Sequence, residues 1–301
     1  MNTSTDRPAS SADGTRQALR RLVEARRGAL VPGAFNAMSA RVIEDLGFEA
    51  IYVTGAGVTN MSLGLPDQGF MGLHEICEHT SRIRDAVRLS LIVDADTGFG
   101  NALNVRHAIR QLERAGADAV QLEDQVSPKR CGHFSGKEVI EASEMVGKIK
   151  AAVDTRRDQD MVIIARTDAR AVEGLQAALD RMNAYLEAGA DVGFVEAPQN
   201  AQELAAIPKA FSKPALANIF EGGKTPPLPR RELEAMGYRI GIYPSQTHRA
   251  AIAAAKKLLA VLKRDGDTAA IESELATFMD REDAVNSAGW RAIEQRYLKD
   301  V

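Results

Sequence analysis

Three carboxylates, a thiol and an arginine stand at or near the ends of short apolar runs in this 301-residue chain. Asp94 and Asp96 flank one alanine ahead of Thr97-Gly-Phe-Gly100, and Glu123 closes the next apolar run. Residues two apart on an extended chain share a face, so Asp94 and Asp96 point the same way. Three hard oxygen donors with no histidine cluster beside them suit Mg2+ or Mn2+ better than Zn2+. The plainer reading is a solvated loop whose aspartates cap a helix. Cys131 lies in Lys129-Arg-Cys-Gly-His133, where cations lower a thiol pKa and make it a usable acid or nucleophile. The alternative is an inert small hydrophobe, the role expected of Cys77. Arg166 ends a further apolar run. Its fork would take a carboxylate or phosphate, or be held in an internal ion pair with Asp168 or Glu196. Thr54-Gly-Ala-Gly57 offers successive backbone N–H groups to an anion. His107 and His248 read as helix-surface residues rather than ligands.

The elements that would position these groups follow one repeated pattern. A helix ends near a glycine, a few residues pass, and an apolar strand runs into a polar tip; the copies cover 44–54, 113–123, 187–196 and 234–243. Four more apolar runs lie at 30–34, 89–94, 161–167 and 214–219. Little alternation within the strands indicates that both faces are covered. The expected helices are 15–28, 36–46, 72–88, 103–115, 143–157, 172–188, 200–210 and 230–236, then 246–264, 268–283 and 287–298. Eight β-α units in sequence predict a (β/α)8 barrel with surplus C-terminal helices. A doubly wound sheet is the alternative, but no glycine-rich fingerprint follows the first strand. A barrel would gather the scattered polar tips on one rim. Residues 1–14 read as a disordered lead and 15–301 as one domain.

Composition narrows the function classes. With 38 basic and 41 acidic residues the net charge is −3, which gives no electrostatic basis for nucleic-acid binding. Two cysteines far apart indicate neither a disulfide scaffold nor a zinc site, and fit a reducing, cytoplasmic setting. No apolar run reaches the roughly 20 residues of a membrane span.

On these residues the chain resembles the isocitrate lyase/phosphoenolpyruvate mutase superfamily. The resemblance runs from about Gly33 to the C-terminal helices. It is carried by Asp94-Ala-Asp-Thr-Gly-Phe-Gly100, Leu122-Glu-Asp-Gln125, Lys129-Arg-Cys-Gly-His133, Ala165-Arg-Thr-Asp-Ala169 and Asn218-Ile-Phe-Glu-Gly-Gly-Lys-Thr-Pro226. It implies a (β/α)8 barrel that assembles as a homotetramer, a dimer of dimers that exchange a C-terminal helix. Asp94 and Asp96 would hold Mg2+, directly or through water, with Glu123 behind them. Thr54, Gly55 and Ala56 match a loop that binds a substrate carboxylate, often Ser-Gly-Gly in the family. Arg166, Glu196, Asn218, Gly132 and Asp67 match positions at the substrate, and Arg249 and Arg281 match cationic positions near the pocket. Residues 129–133 match a gating loop whose cysteine marks the carbon–carbon lyases. Phe134-Ser-Gly-Lys137 and Val195-Glu-Ala197 depart from the methylisocitrate lyase pattern, while Glu221-Gly-Gly-Lys-Thr-Pro226 and Gly132-His-Phe-Ser-Gly-Lys137 resemble the 2,3-dimethylmalate lyase and petal-death-protein group.

The resemblance implies cleavage of a 2-hydroxy dicarboxylate such as 2,3-dimethylmalate to pyruvate and a short carboxylic acid. Tyr52 is the candidate base for the hydroxyl proton. Arg166 and backbone N–H groups would stabilise the carbanion as an aci-acid, Cys131 would protonate it, and His133 and Glu196 would position loop and substrate. The alternatives are 2-methylisocitrate cleavage to pyruvate and succinate, oxaloacetate decarboxylation or hydrolysis, and a non-catalytic metabolite-binding barrel.

Overall fold

The computed structural model describes residues 12–25, 27–132, 136–222 and 228–298. Eight strands carry the chain: β1 (Ala29–Ala34), β2 (Ala50–Val53), β3 (Ser90–Asp94), β4 (Ala119–Glu123), β5 (Val162–Thr167), β6 (Val192–Val195), β7 (Ala215–Asn218) and β8 (Ile240–Tyr243). Each pairs in parallel with its sequence neighbour, and β8 returns to β1 with Ala29 opposite Ile240 and Val31 opposite Ile242. The sheet is therefore a closed (β/α)8 barrel, and the doubly wound alternative is excluded.

The strands alternate in destination rather than in polarity. Val31, Tyr52, Ile92, Ala119, Ile164, Phe194, Leu216 and Ile242 form one buried cluster inside the barrel. Ile51, Val53, Leu91, Val93, Val120, Ile163 and Ala217 join the outer cluster beneath the helices. Both faces are apolar because both are covered, as the lack of alternation predicted. Leu19, Leu22 and Val23 of helix Ala12–Glu24 belong to the inner cluster and plug the barrel floor.

Element boundaries fall close to expectation, with informative exceptions. The first helix starts at Ala12, inside the segment expected to be disordered; residues 1–11 of that lead lie outside the described residues. Helix Gly55–Leu63 was not anticipated, because its apolar residues show no 3.6-residue stripe. Its boundaries are nonetheless local: Thr54 accepts the N–H of Gly57 at 3.2 Å, and Gly64 ends it with φ +66°. The single helix expected over 268–283 is a 3-10 turn, Ala269–Glu274, followed by helix Phe278–Ala284. Thr277 and Asp280 form a capping box that starts the second piece. Among the described residues no helix is long and apolar enough to cross a membrane.

The floor is fastened by Asp118, which is fully buried. Its Oδ1 accepts from Thr15 Oγ1 at 2.5 Å, and its Oδ2 accepts from Leu91 N at 2.8 Å and Arg84 Nη1 at 3.1 Å. One carboxylate thus joins the first helix, β3, β4 and helix Leu73–Ala86. Replacing Asp118 by Ala leaves a buried guanidinium and two donors without their acceptor. We expect a loss of about 3 kcal/mol in urea unfolding.

Candidate active site

Strand parity decides which tip residues enter the barrel mouth. Tyr52, Ile92, Ile164, Phe194 and Leu216 face inward, so the residues two further on, Thr54, Asp94, Arg166, Glu196 and Asn218, do so as well, one layer nearer the mouth. Glu123 follows the inward Gln121 in the same way. The scattered tips expected to meet on one rim do meet there.

The Asp94–Asp96 turn is built on unusual backbone. Asp96 has φ +46°, Phe99 +61°, Gly98 +84° and Gly100 +141°. A Cβ on Gly98 would also lie 2.5 Å from Val105 Cγ2, so glycine is required there on both counts. Asp94 Oδ1 accepts from the Asp96 N–H at 3.2 Å and from Gln121 Nε2 at 3.3 Å. Gln121 Oε1 in turn accepts from Tyr52 Oη at 2.8 Å. Gly55 packs against the pair; a Cβ there would sit 3.1 Å from Asp94 Oδ2 and 3.6 Å from Asp96 Oδ1. Burial, with Asp94, Glu123 and Asp96 nearby, holds the Tyr52 pKa well above the usual phenol range. The phenol thus stands hydrogen-bonded beneath the Asp94–Asp96 pair.

Lys129 is buried, with Nζ 2.5 Å from Asp67 Oδ1 and 3.0 Å from Asp96 Oδ1. Burial alone would lower its pKa, but Asp96, Asp67 and Glu123 outweigh that and raise it well above the usual value. Asp96 itself is pushed up to about 6, by burial first and despite Lys129. Glu123 is raised well above the carboxylate range by burial, against the pull of Arg166. Its Oε2 lies 3.3 Å from Arg166 Nε, and Oε1 has no hydrogen-bond partner among the described residues.

Arg166 settles the question left open by the sequence in favour of an internal pair. Its Nε and Nη2 donate to Asp168 at 2.8 and 3.1 Å, while Nη2 stays 3.8 Å from Glu196 Oε2 and the guanidinium lies over Phe194. Arg166 still lines the mouth, now oriented by Asp168. Asn218 Nδ2 donates to Glu196 at 3.3 and 3.4 Å. Gly132 is seated on this group: a Cβ there would meet Arg166 Nη2 at 2.5 Å and Glu196 Cγ at 2.7 Å. Lys137 Nζ donates to Gly132 O at 2.5 Å and to Asp168 Oδ1 at 2.6 Å.

The remaining expected residues divide. Thr54 and Ala56 begin helix Gly55–Leu63 at the mouth, so the Thr-Gly-Ala-Gly turn is a helix N-terminus, a stronger anion site than a loose turn. Cys131 is half-buried beside Gly132. His133 and Phe134 lie outside the described residues. Arg249 is exposed in the first turn of the helix after β8, 3.3 Å from Glu221 Oε2 and over Phe220. Arg281 is exposed on helix Phe278–Ala284 and pairs with Glu282 at 2.8 Å. His107 is exposed as expected, whereas His248 is buried, edge-on to Phe35. Gln121, Lys137 and Asp168 matter more than their sequence suggested. Only strand parity could have pointed to Gln121.

The cation expected from the sequence is tested by the charges already present. Among the described residues no three His, Cys, Asp or Glu side chains converge into a ready-made cage. Yet Asp67, Asp94, Asp96, Glu123, Asp168 and Glu196 outnumber the cations buried with them, Lys129, Lys137 and Arg166. An all-oxygen donor set with surplus negative charge, and a buried carboxylate oxygen without a partner, fits a hard divalent cation.

Asp168 keeps its charge far into the acid range. Burial opposes its charge, but Arg166 and Lys137 bring it down to about 2. A carboxyl with a depressed pKa contributes stability that is present above the unfolded value near pH 4 and lost as pH falls through the folded value. The wild type should lose about 2 kcal/mol more than Asp168→Asn between pH 4 and pH 2, read from urea midpoints across that range.

Comparison with known proteins agrees with this geometry. A family model described as phosphoenolpyruvate phosphomutase matches residues 19–263. The 2,3-dimethylmalate lyase of Eubacterium barkeri is 45% identical over 279 residues, covering 93% of this chain and 96% of that protein. The 2-methylisocitrate lyase of Aeropyrum pernix is 44% identical over 278 residues, 92% of this chain and 88% of that protein. Among solved structures, oxaloacetate acetylhydrolase in complex with 3,3-difluorooxalacetate superposes with TM-score 0.90 at 33% identity, covering 95% of this chain and 97% of that one. A crystal structure of 2,3-dimethylmalate lyase gives 0.89 at 32%, covering 96% of each. Phosphonopyruvate hydrolase with oxalate and Mg2+ gives 0.86 at 32%, covering 94% and 99%. With the barrel closed, its mouth lined by the expected carboxylates and arginine, and two lyases at 45% and 44% identity, the chain belongs to the phosphoenolpyruvate phosphomutase family of the isocitrate lyase/PEP mutase superfamily and is an enzyme of its carbon–carbon lyase group.

Proposed function

We propose that the enzyme cleaves the C2–C3 bond of a 2-hydroxy dicarboxylate, 2,3-dimethylmalate or a related 2-alkylmalate, releasing pyruvate and a short carboxylic acid. The observation that carries this reading is the seat of Gly132 on Arg166 and Glu196, which brings the Cys131 segment to the carboxylate-lined mouth. The Eubacterium barkeri relative supports the substrate class.

Asp94 and Asp96 would hold Mg2+ or Mn2+, with Glu123 behind them. When bound, the ion supplies Lewis-acid charge that lowers the pKa of the substrate hydroxyl. The N-terminus of helix Gly55–Leu63, with Thr54, Gly55 and Ala56, binds a substrate carboxylate through its N–H groups and dipole. Tyr52, hydrogen-bonded to Gln121 beneath Asp94, is the candidate that takes the hydroxyl proton. As the C2–C3 bond breaks, its electron pair is delocalised onto the second carboxylate, and Arg166, oriented by Asp168, stabilises that charge. Cys131 then delivers its thiol proton to the carbon and is left as thiolate beside Lys129 and Arg130. Asn218, Glu196 and Asp67 orient the substrate and Lys129. Exposed Phe278, Met279, Trp290 and Tyr297 on the C-terminal helices support a tetramer of helix-exchanging dimers, in which Arg281 would serve a neighbouring subunit.

Pyruvate release is the direct assay, run on 2,3-dimethylmalate, 2-methylmalate, 2-methylisocitrate, isocitrate and oxaloacetate. We expect turnover of an alkylmalate that EDTA abolishes and that Cys131→Ser reduces at least 100-fold, the ordinary size of a lost general acid. Preference for 2-methylisocitrate would move the substrate to a larger C3 substituent. Turnover of oxaloacetate alone, unaffected by Cys131→Ser, would replace the lyase reading with hydrolysis or decarboxylation, as in the acetylhydrolase of the same fold. Tight analogue binding with no turnover would favour a non-catalytic barrel. Independently of activity, Mn2+ should raise the melting temperature of the wild type and leave that of Asp96→Asn unchanged, because only a cation bound to the native state stabilises it.

A further inference from the structure

Lys137 has no part in the reaction described above, yet its side chain is 1% exposed and its ammonium donates two hydrogen bonds. Burying an ammonium is costly unless strong partners surround it. Its partners are specific: Gly132 O at 2.5 Å and Asp168 Oδ1 at 2.6 Å. That carboxylate is the one that accepts from Arg166 Nε and Nη2. Gly132 sits against the same guanidinium, too close for any side chain. The segment carrying Lys137 is itself tied to the end of β4. Val126 N donates to Glu138 O at 2.9 Å, and Ile140 N donates to Asp124 O at 2.9 Å. The ammonium is therefore delivered from a fixed base to a point where the Cys131 segment and the Arg166 pair meet.

We propose that Lys137 is a positioning residue that locks the Cys131–Gly132 segment onto Arg166, so that the acid and the anion-stabilising arginine are set by one buried cation. The inference rests on the proposed roles of Cys131 and Arg166. Without the ammonium, Gly132 O loses its donor and Asp168 loses one of two neutralising cations, so the Gly132 end of the segment loses its tie to the Arg166 pair, while Arg130 stays bonded to Gln125. A role confined to global stability would lower the unfolding midpoint without opening this segment in the folded state.

The test is the rate of iodoacetamide modification of Cys131 at pH 7.5 in the full-length protein, read by mass spectrometry. Cys77 provides an internal control, because burial pushes its pKa up to about 11 and leaves it little thiolate. Lys137→Met, which keeps length and removes charge, should raise the Cys131 rate about tenfold or more, the loss expected of a charged hydrogen bond, with Cys77 unchanged. Lys137→Arg, which keeps the cation, should return most of the protection. On whichever substrate is turned over, Lys137→Met should lower kcat about 100-fold with a smaller change in KM. Labelling of folded Lys137→Met at the wild-type rate would overturn the proposal. Should Lys137→Met not fold, Asp168→Asn provides the same comparison, and wild-type labelling there would overturn it equally. The labelling needs no substrate, so absence of turnover on all five dicarboxylates would refute the proposed function and leave this result standing.

Discussion

The structure depends on holding a crowd of carboxylates together around one barrel mouth. Asp94, Asp96, Glu123, Asp168 and Glu196 come from four strand ends, and each would be costly to bury alone. Arg166, Lys129 and Lys137 make the arrangement tenable, one from a strand and two from the segment that follows β4. The compensation is uneven. Asp168 has two cations in direct contact and is held at about 2, whereas Asp96 shares Lys129 with Asp67 and is pushed up to about 6. The mouth is therefore divided into a satisfied anion–cation cluster at Asp168 and an undercompensated one at Asp96. The second is where added positive charge would lower the energy most.

The division of labour along the barrel axis follows from its covering. The floor is closed by Leu19, Leu22 and Val23 and fastened through Asp118, Arg84 and Thr15, all contacts that serve stability. The upper rim carries the positive-φ turn at 96–100, the helix start at Gly55 and the 126–132 segment. These are the places where backbone groups approach a site closely, and glycine recurs there because a Cβ would collide with Val105, Arg166 or Glu196. The conformational cost of such turns is sustained because the sheet beneath them is rigid and closed on itself.

Gln121 shows how a neutral side chain organises charged ones. It donates to Asp94 and accepts from Tyr52 across the barrel interior, so its amide orientation is fixed from both sides. The layer under the carboxylates is therefore a hydrogen-bonded floor that links Tyr52 to Asp94. The outward-facing Asp124, by contrast, accepts from Thr167, Tyr185 and the Asp168 N–H behind the sheet. Glu123 and Asp124 are adjacent in sequence, but one turns toward the site and the other toward the scaffold.

Much of this was legible in the sequence, for identifiable reasons. Repeated glycine-terminated helices and eight apolar runs with polar ends determine a barrel, since only both-face burial explains strands without alternation. The tip residues were equally visible, because a carboxylate or arginine at the end of an apolar run has few structural uses. Boundaries marked by side-chain chemistry, such as Thr277 with Asp280, could have been read and were obscured only by helix-forming neighbours. The tertiary structure alone decided pairing. Whether Arg166 meets Asp168 or Glu196, whether Lys129 faces solvent or Asp96, and that Lys137 is buried at all depend on groups far apart in the chain. So do the burial of His248 against Phe35 and the pairing of Arg249 with Glu221. Local spacing sets which face a residue takes. Which opposite charge it meets is set by barrel closure and register, and these bring β4, β5 and the segment between residues 126 and 137 to the same few ångströms.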